Sequence, residues 1–155
     1  MKAFVIAALA IVAAVATPLY AQDTPADTMQ IVREKIKADK KLLVAENMQL
    51  TESEAKAFWP VYESYQQDLG KINERLGKVI NDYVANYKSM TDEAADKLVT
   101  EANAIEVDRT KLTQSYLPKL KKALSGKKVA RYWQLENKIR AVLNYELAAN
   151  IPLIR

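Results

Sequence analysis

Two apolar stripes with alternating spacings of three and four residues, parted by one short polar turn, leave this chain very few ways to fold. The first stripe is Tyr62, Tyr65, Leu69, Ile72, Leu76, Val79 and Tyr83; the second is Ala95, Leu98, Ala102, Ile105, Arg109, Leu112 and Tyr116. That spacing keeps a line of side chains on one side of a helix, so each stripe can lie along another helix. The turn Lys88-Ser89-Met90-Thr91 has room only for an antiparallel connection. Reflection across it sets Leu76 near Ala102, Ile72 near Ile105, Tyr65 near Leu112, and Arg109 opposite Leu69 and Gly70. A charged residue in such a seam costs stability unless it is paired or its head reaches water.

Flanking helices are expected on both sides of this hairpin. One is predicted from about Asp27 to Met48, with Met29, Val32, Ile36 and Leu43 inward and Arg33, Glu34, Lys37, Asp39, Lys40 and Lys41 outward. The other is predicted from about Lys127 to Ala149, with an apolar face of Val129, Tyr132, Trp133, Ile139, Val142, Leu143 and Leu147. Beyond it the apolar tail Ile151 to Ile154 needs cover from a neighbour. Pro60 should kink the second helix near Trp59, and Pro118 should close or bend the third. Gly70 and Gly77, one heptad apart, suggest either close helix approach or a soft segment. The fold class is therefore all-α: four helices, built on a long antiparallel hairpin with flanking N- and C-terminal helices.

A repeat joins two of these helices. Leu50-Thr-Glu-Ser-Glu-Ala-Lys-Ala-Phe-Trp59 returns 74 positions later as Leu124-Ser-Gly-Lys-Lys-Val-Ala-Arg-Tyr-Trp133. In each copy a hydroxyl residue, Thr51 or Ser125, stands where an N-cap would accept from the backbone N–H three residues on, and an aromatic pair follows two turns later: Phe58 with Trp59, Tyr132 with Trp133. Leu50 and Leu124 precede the caps, where a hydrophobic staple forms. A looser third copy, Met90-Thr91-Asp92-Glu93-Ala94, opens the third helix.

The N-terminus reads as an address. Lys2, an apolar run from Ala3 to Ala16, a break at Thr17-Pro18 and Leu-Tyr-Ala21 before Gln22 have the layout of a secretory signal. The expected organisation is a signal peptide over 1–21, removed on export to the periplasm, and a single all-helical domain over 22–155. An uncleaved signal anchor is the alternative. With no cysteine in the chain, an exported form has no disulfides and relies on helix packing. Charge is uneven: residues 51–110 carry a net −5 and residues 111–155 a net +8. Lys119, Lys121, Lys122, Lys127 and Lys128 gather at one junction, which would suit an anionic partner or simply complement the C-terminal end of the third helix. Export separates the chain from nucleic acid.

Little here supports catalysis. Without histidine or cysteine there is no catalytic triad, thiol nucleophile or zinc site, and no glycine-rich phosphate loop is present. Asp92, Glu93 and Asp96 gather at a helix start, where carboxylates complement the helix dipole. No enzyme, no metal and no cofactor are expected.

The two helix starts, Leu50-Thr51-Glu52-Ser53-Glu54 and Leu124-Ser125-Gly126-Lys127-Lys128, in an all-helical chain with a signal-like N-terminus, resemble the Spy/CpxP group of periplasmic stress proteins, whose hallmark is a twice-used Leu-Thr-x-x-Gln (LTXXQ) motif. The resemblance spans about residues 45–145 and departs from the hallmark at Glu54 and Lys128, where Gln would stand. Ala57 to Tyr62 and Ala130 to Leu143 also resemble a bacterial group labelled as sigma-factor sensors or transcriptional regulators, a label at odds with export. The first resemblance implies a hairpin cradle, commonly a homodimer, that binds unfolded proteins without ATP or signals envelope stress to a membrane-bound regulator. On that reading Tyr62, Tyr65, Leu69, Arg109, Leu112 and Tyr116 are the candidate client-binding residues and the lysine junction the candidate site for an anionic partner, including peripheral contact with an anionic envelope surface. The plainer reading of the stripe is buried core.

Overall fold

The computed structural model describes residues 38–154, and these form four helices with no strand among the described residues. α1 is helical over 38–48, α2 spans Glu52–Asn86, α3 Asp92–Ala123 and α4 Gly126–Asn150. The signal-like segment and the first part of the helix expected from Asp27 lie outside the described residues.

Local chemistry accounts for the boundaries. Thr51 caps α2 in a capping box: its Oγ1 accepts from the Glu54 N–H, and the Glu54 carboxylate accepts from the Thr51 N–H at 2.9 Å. Thr91 caps α3 by accepting from the Ala94 N–H. Ser125 occupies the N-cap of α4, but its side chain makes no capping hydrogen bond, so the second copy of the repeat keeps the position and loses the bond. Its fourth residue on is Val129, and its third, Lys128, has no acceptor with which to reach back. α1 ends at Gln49 with φ 46°, a left-handed conformation that favours glycine.

Neither proline breaks a helix. α2 runs 35 residues through Pro60 and α3 runs 32 through Pro118, so the expected stop at Pro118 does not occur. Burial on both sides outweighs one missing backbone hydrogen bond: Phe58 and Tyr62 flank Pro60, and Tyr116 and Leu120 flank Pro118, all in the core. The close-approach reading of Gly70 and Gly77 is also excluded, because a Cβ built on either meets nothing within 4 Å.

α2 and α3 form the antiparallel hairpin. Arg75 bonds Glu101 at 2.9 Å and Asp108 at 2.7 Å, Arg109 bonds Asn73, and the Tyr116 hydroxyl donates to Asp68 at 2.8 Å. Arg109 thus meets Asn73 rather than Leu69 and Gly70, about one turn from the reflected position. Side chains lean toward the N-terminus of their own helix. On α3 that direction is toward the Ser89 turn and on α2 away from it, so touching side chains carry higher numbers than facing Cα atoms.

The core gathers at the end of the hairpin remote from the turn. Val44 and Met48 of α1, Phe58, Tyr62, Tyr65 and Leu69 of α2, Tyr116 and Leu120 of α3, Leu124, and Val129 and Tyr132 of α4 form one buried cluster. On α1 the buried pair is Val44 and Met48, one turn apart, while Leu43, expected inward, is exposed. Toward the turn the hairpin has fewer buried groups: Leu76, Val79, Tyr83, Ala95, Leu98 and Ala102 are only half-buried.

Candidate functional site

The two copies of the repeat meet each other. Phe58 and Tyr132, equivalent positions in the repeat, stand edge to face with ring centroids 5.2 Å apart. Glu54 and Lys128, also equivalent, form an ion pair. Because equivalent residues touch, the starts of α2 and α4 run side by side and parallel. No Cα of α2 comes within 8 Å of one of α4; aromatic rings fill the interval. Tyr65 packs edge to face on Tyr116 and on Trp133, each at 5.3 Å, and Tyr62 on Tyr132 at 6.1 Å. Such pairs add roughly 0.5 to 1.5 kcal/mol each beyond their buried area. The Trp133 Nε1 donor is buried here with no hydrogen-bond partner among the described residues.

A polar clip lies beside the rings. Lys40 of α1 donates to Glu136 of α4 at 2.8 Å and to the Gln66 Oε1 of α2 at 2.9 Å, while Gln66 Nε2 donates to Glu136 at 2.9 Å and to the Tyr132 hydroxyl at 3.3 Å. Four groups from three helices thus close one network. Lys40, expected on the solvent face of α1, turns inward, because Glu136 is 7% exposed and an unpaired carboxylate there would be costly. Arg109 is likewise buried, with Asn73 Oδ1 accepting from both terminal guanidinium nitrogens and Glu106 from Nε.

The placement of the expected binding residues follows. Tyr62, Tyr65, Leu69, Arg109 and Tyr116 are buried and Leu112 is half-buried; a ligand reaches the buried five only if the packed helices part. Of the motif residues, Phe58, Leu124 and Tyr132 are in the core, Leu50, Trp59 and Trp133 pack against it, and Thr51 and Ser125 sit at exposed helix starts. The lysines of the junction are not equivalent. Lys128 is engaged by Glu54 and by the Gln49 carbonyl, tying the end of α1 to the starts of α2 and α4. Lys119 lies over the Tyr116 ring at 4.1 Å. Lys121, Lys122 and Lys127 are exposed. Among the described residues no group of carboxylates is arranged to hold a metal, and no helix is long and apolar enough to cross a membrane.

Burial pushes the phenols of Tyr62, Tyr65 and Tyr132 above the ordinary value of 10.0, and burial together with the bond to Asp68 pushes Tyr116 up to about 12. A raised phenol pKa favours the folded state fully below the unfolded value and ceases to do so as pH rises through the folded one. Stability should therefore hold up to about pH 10 and fall steeply above it. Bonds from Lys128, Lys71 and Arg75 hold Glu54, Asp68 and Asp108 below the usual carboxylate values of 4.5, 3.8 and 3.8. Their support is present above those values and lost as pH falls through the lowered ones. Melting temperature measured across pH checks both limbs; a flat alkaline limb would contradict the burial of these tyrosines.

Comparison with protein-family models, with curated proteins and with solved structures returned no match.

Proposed function

We propose that this chain is an exported, ATP-independent chaperone-like protein that holds unfolded or misfolded clients in the periplasm during envelope stress. The observation that carries the reading is the apolar surface left outside the core. Leu143 and Leu147 continue the line of Val129, Tyr132 and Glu136 on α4, yet Leu143 is 44% and Leu147 36% exposed. Val84, Val99 and Val107 on the hairpin are also exposed. Aliphatic groups gathered on one helix face, as Leu143 and Leu147 are one turn apart on α4, suit weak, promiscuous capture of unfolded chains. With the stripe tyrosines buried, client contact is assigned to these outer groups and reaches the aromatic junction only when α4 or α1 swings away.

Mixing the purified protein with an unrelated denatured protein tests this: aggregation should be suppressed at near-stoichiometric ratio and the effect weakened by Leu143→Ser/Leu147→Ser. Absence of suppression at every salt concentration would overturn it. A second reading, a non-enzymatic adaptor that docks a membrane-bound regulator, is favoured by the exposed Lys121, Lys122 and Lys127. It requires a specific captured partner that is lost when those three are changed to Glu.

A further inference from the structure

The outward line of α4 combines charge and apolar surface in a way the proposed function does not use. Lys127, Arg131, Gln134, Lys138, Val142 and Tyr145 follow one another at spacings of three and four, so they form one stripe, and all six are exposed. At 1.5 Å per residue the stripe is about 27 Å long. It stands apart from the buried line of Val129, Tyr132 and Glu136 on the same helix. Among the described residues no carboxylate lies within ion-pair distance of Lys127, Arg131 or Lys138, so the stripe carries three uncompensated cations. Those three cations, with Gln134, Leu135 and Asn47 of α1, surround one shallow open depression.

Beyond Lys138 the character of the stripe changes without a change of face. Val142 is 61% and Tyr145 73% exposed, and Leu153, just past the helix end, is 87% exposed. The acids of α4 are Glu136, which is buried against Lys40, and Glu146, which lies off the stripe.

We infer that this face of α4 docks on an anionic phospholipid surface, with the cations against the lipid phosphates and Val142, Tyr145 and Leu153 at the edge of the acyl region. Such an interface rewards both halves of the stripe: cations near an anionic leaflet gain from its potential, and aliphatic and tyrosine side chains gain from the boundary of the hydrocarbon. A soluble polyanion would reward only the basic half. A second copy meeting through the same face would gather six cations in one interface with no carboxylate on the stripe to offset them. The helix lies on the surface and does not enter the bilayer, since no described helix is apolar enough to cross it.

Vesicle flotation tests the inference. The purified chain is compared on phosphatidylcholine vesicles and on vesicles that also contain phosphatidylglycerol, so that any charge-independent binding appears in both. Binding should be specific to the anionic vesicles and weaken as salt rises. Each cation near such a surface contributes about five-fold, so Lys127→Gln/Arg131→Gln/Lys138→Gln should lower partitioning by about a hundred-fold. Removal of Lys56, Lys78 and Lys88 on the hairpin, a control of equal charge, should lower it far less. Val142→Ser/Tyr145→Ser should lower it several-fold while leaving circular dichroism unchanged. Equal binding to both vesicle types, equal losses in the two triple variants, or capture by soluble polyphosphate that competes fully and ignores Val142→Ser/Tyr145→Ser would each overturn it.

Discussion

Truncating Tyr132 to Ala should cost about 4 kcal/mol. Tyr132 is fully buried, and its ring lies against Phe58, Tyr62, Tyr65 and Trp133. The backbones of α2 and α4 already stand apart there, so the cavity cannot close by a small helix shift; removal leaves the full void as well as the lost transfer energy. Thermal unfolding followed by circular dichroism should show a fall of roughly 10 to 15 °C for a domain of this size. Tyr132→Phe keeps the rings and loses only the hydroxyl that accepts from Gln66, so it should cost about 1 kcal/mol. Near-equal effects of the two substitutions would mean that the hydroxyl, not the packing, holds the junction.

The second large effect is an asymmetry at the Lys40–Glu136 pair. With the two side chains 14% and 7% exposed, changing Glu136 to Ala leaves the Lys40 ammonium without a counter-charge, with only the neutral Gln66 oxygen to accept from it, and should cost about 3 to 5 kcal/mol. Lys40→Met strands Glu136 in the same way. Replacing both together, by Met and Leu, removes both desolvation costs and should bring stability back to near that of the parent. Gln66 then loses two partners, but it is only part-buried and can turn to water. Urea midpoints for the four proteins give the coupling directly. Additive losses would mean that the pair is solvated and does not clamp α1 to α4.

The hairpin, the helix ends near Thr51 and Thr91 and the limits of α4 were legible because they depend on residues within one or two turns of each other. Periodicity carries that information and capping chemistry sharpens it. What was not legible depended on partners far apart in the chain. Lys40 and Glu136 are 96 residues apart and Glu54 and Lys128 74 apart, so Lys40 read as one more charge on a solvated face and Lys128 as one more member of a basic cluster. The repeat did hold a signal: its fifth position carries Glu54 in one copy and Lys128 in the other, a charge pair awaiting contact. The apolar periodicity of α4 continued past Ile139 and suggested burial, yet Val142, Leu143 and Leu147 stay exposed. Periodicity shows that a face is apolar; it does not show that a neighbour covers it. For the same reason the stripe tyrosines, assigned to client contact, were more simply read as core: five of the six candidate residues are buried, four of them in the core cluster.

All of this turns on two helix starts, 74 residues apart in the chain, packing ring against ring. Proton–proton nuclear Overhauser effects in the selectively aromatic-labelled protein measure that contact directly. Strong cross-peaks between the Phe58 and Tyr132 rings, and between Tyr65 and both Tyr116 and Trp133, are the expected result. Cross-peaks between Tyr65 and Tyr116 alone, with none from Phe58 to Tyr132, would leave the α2–α3 hairpin intact and contradict the packing of α4 on which the account depends.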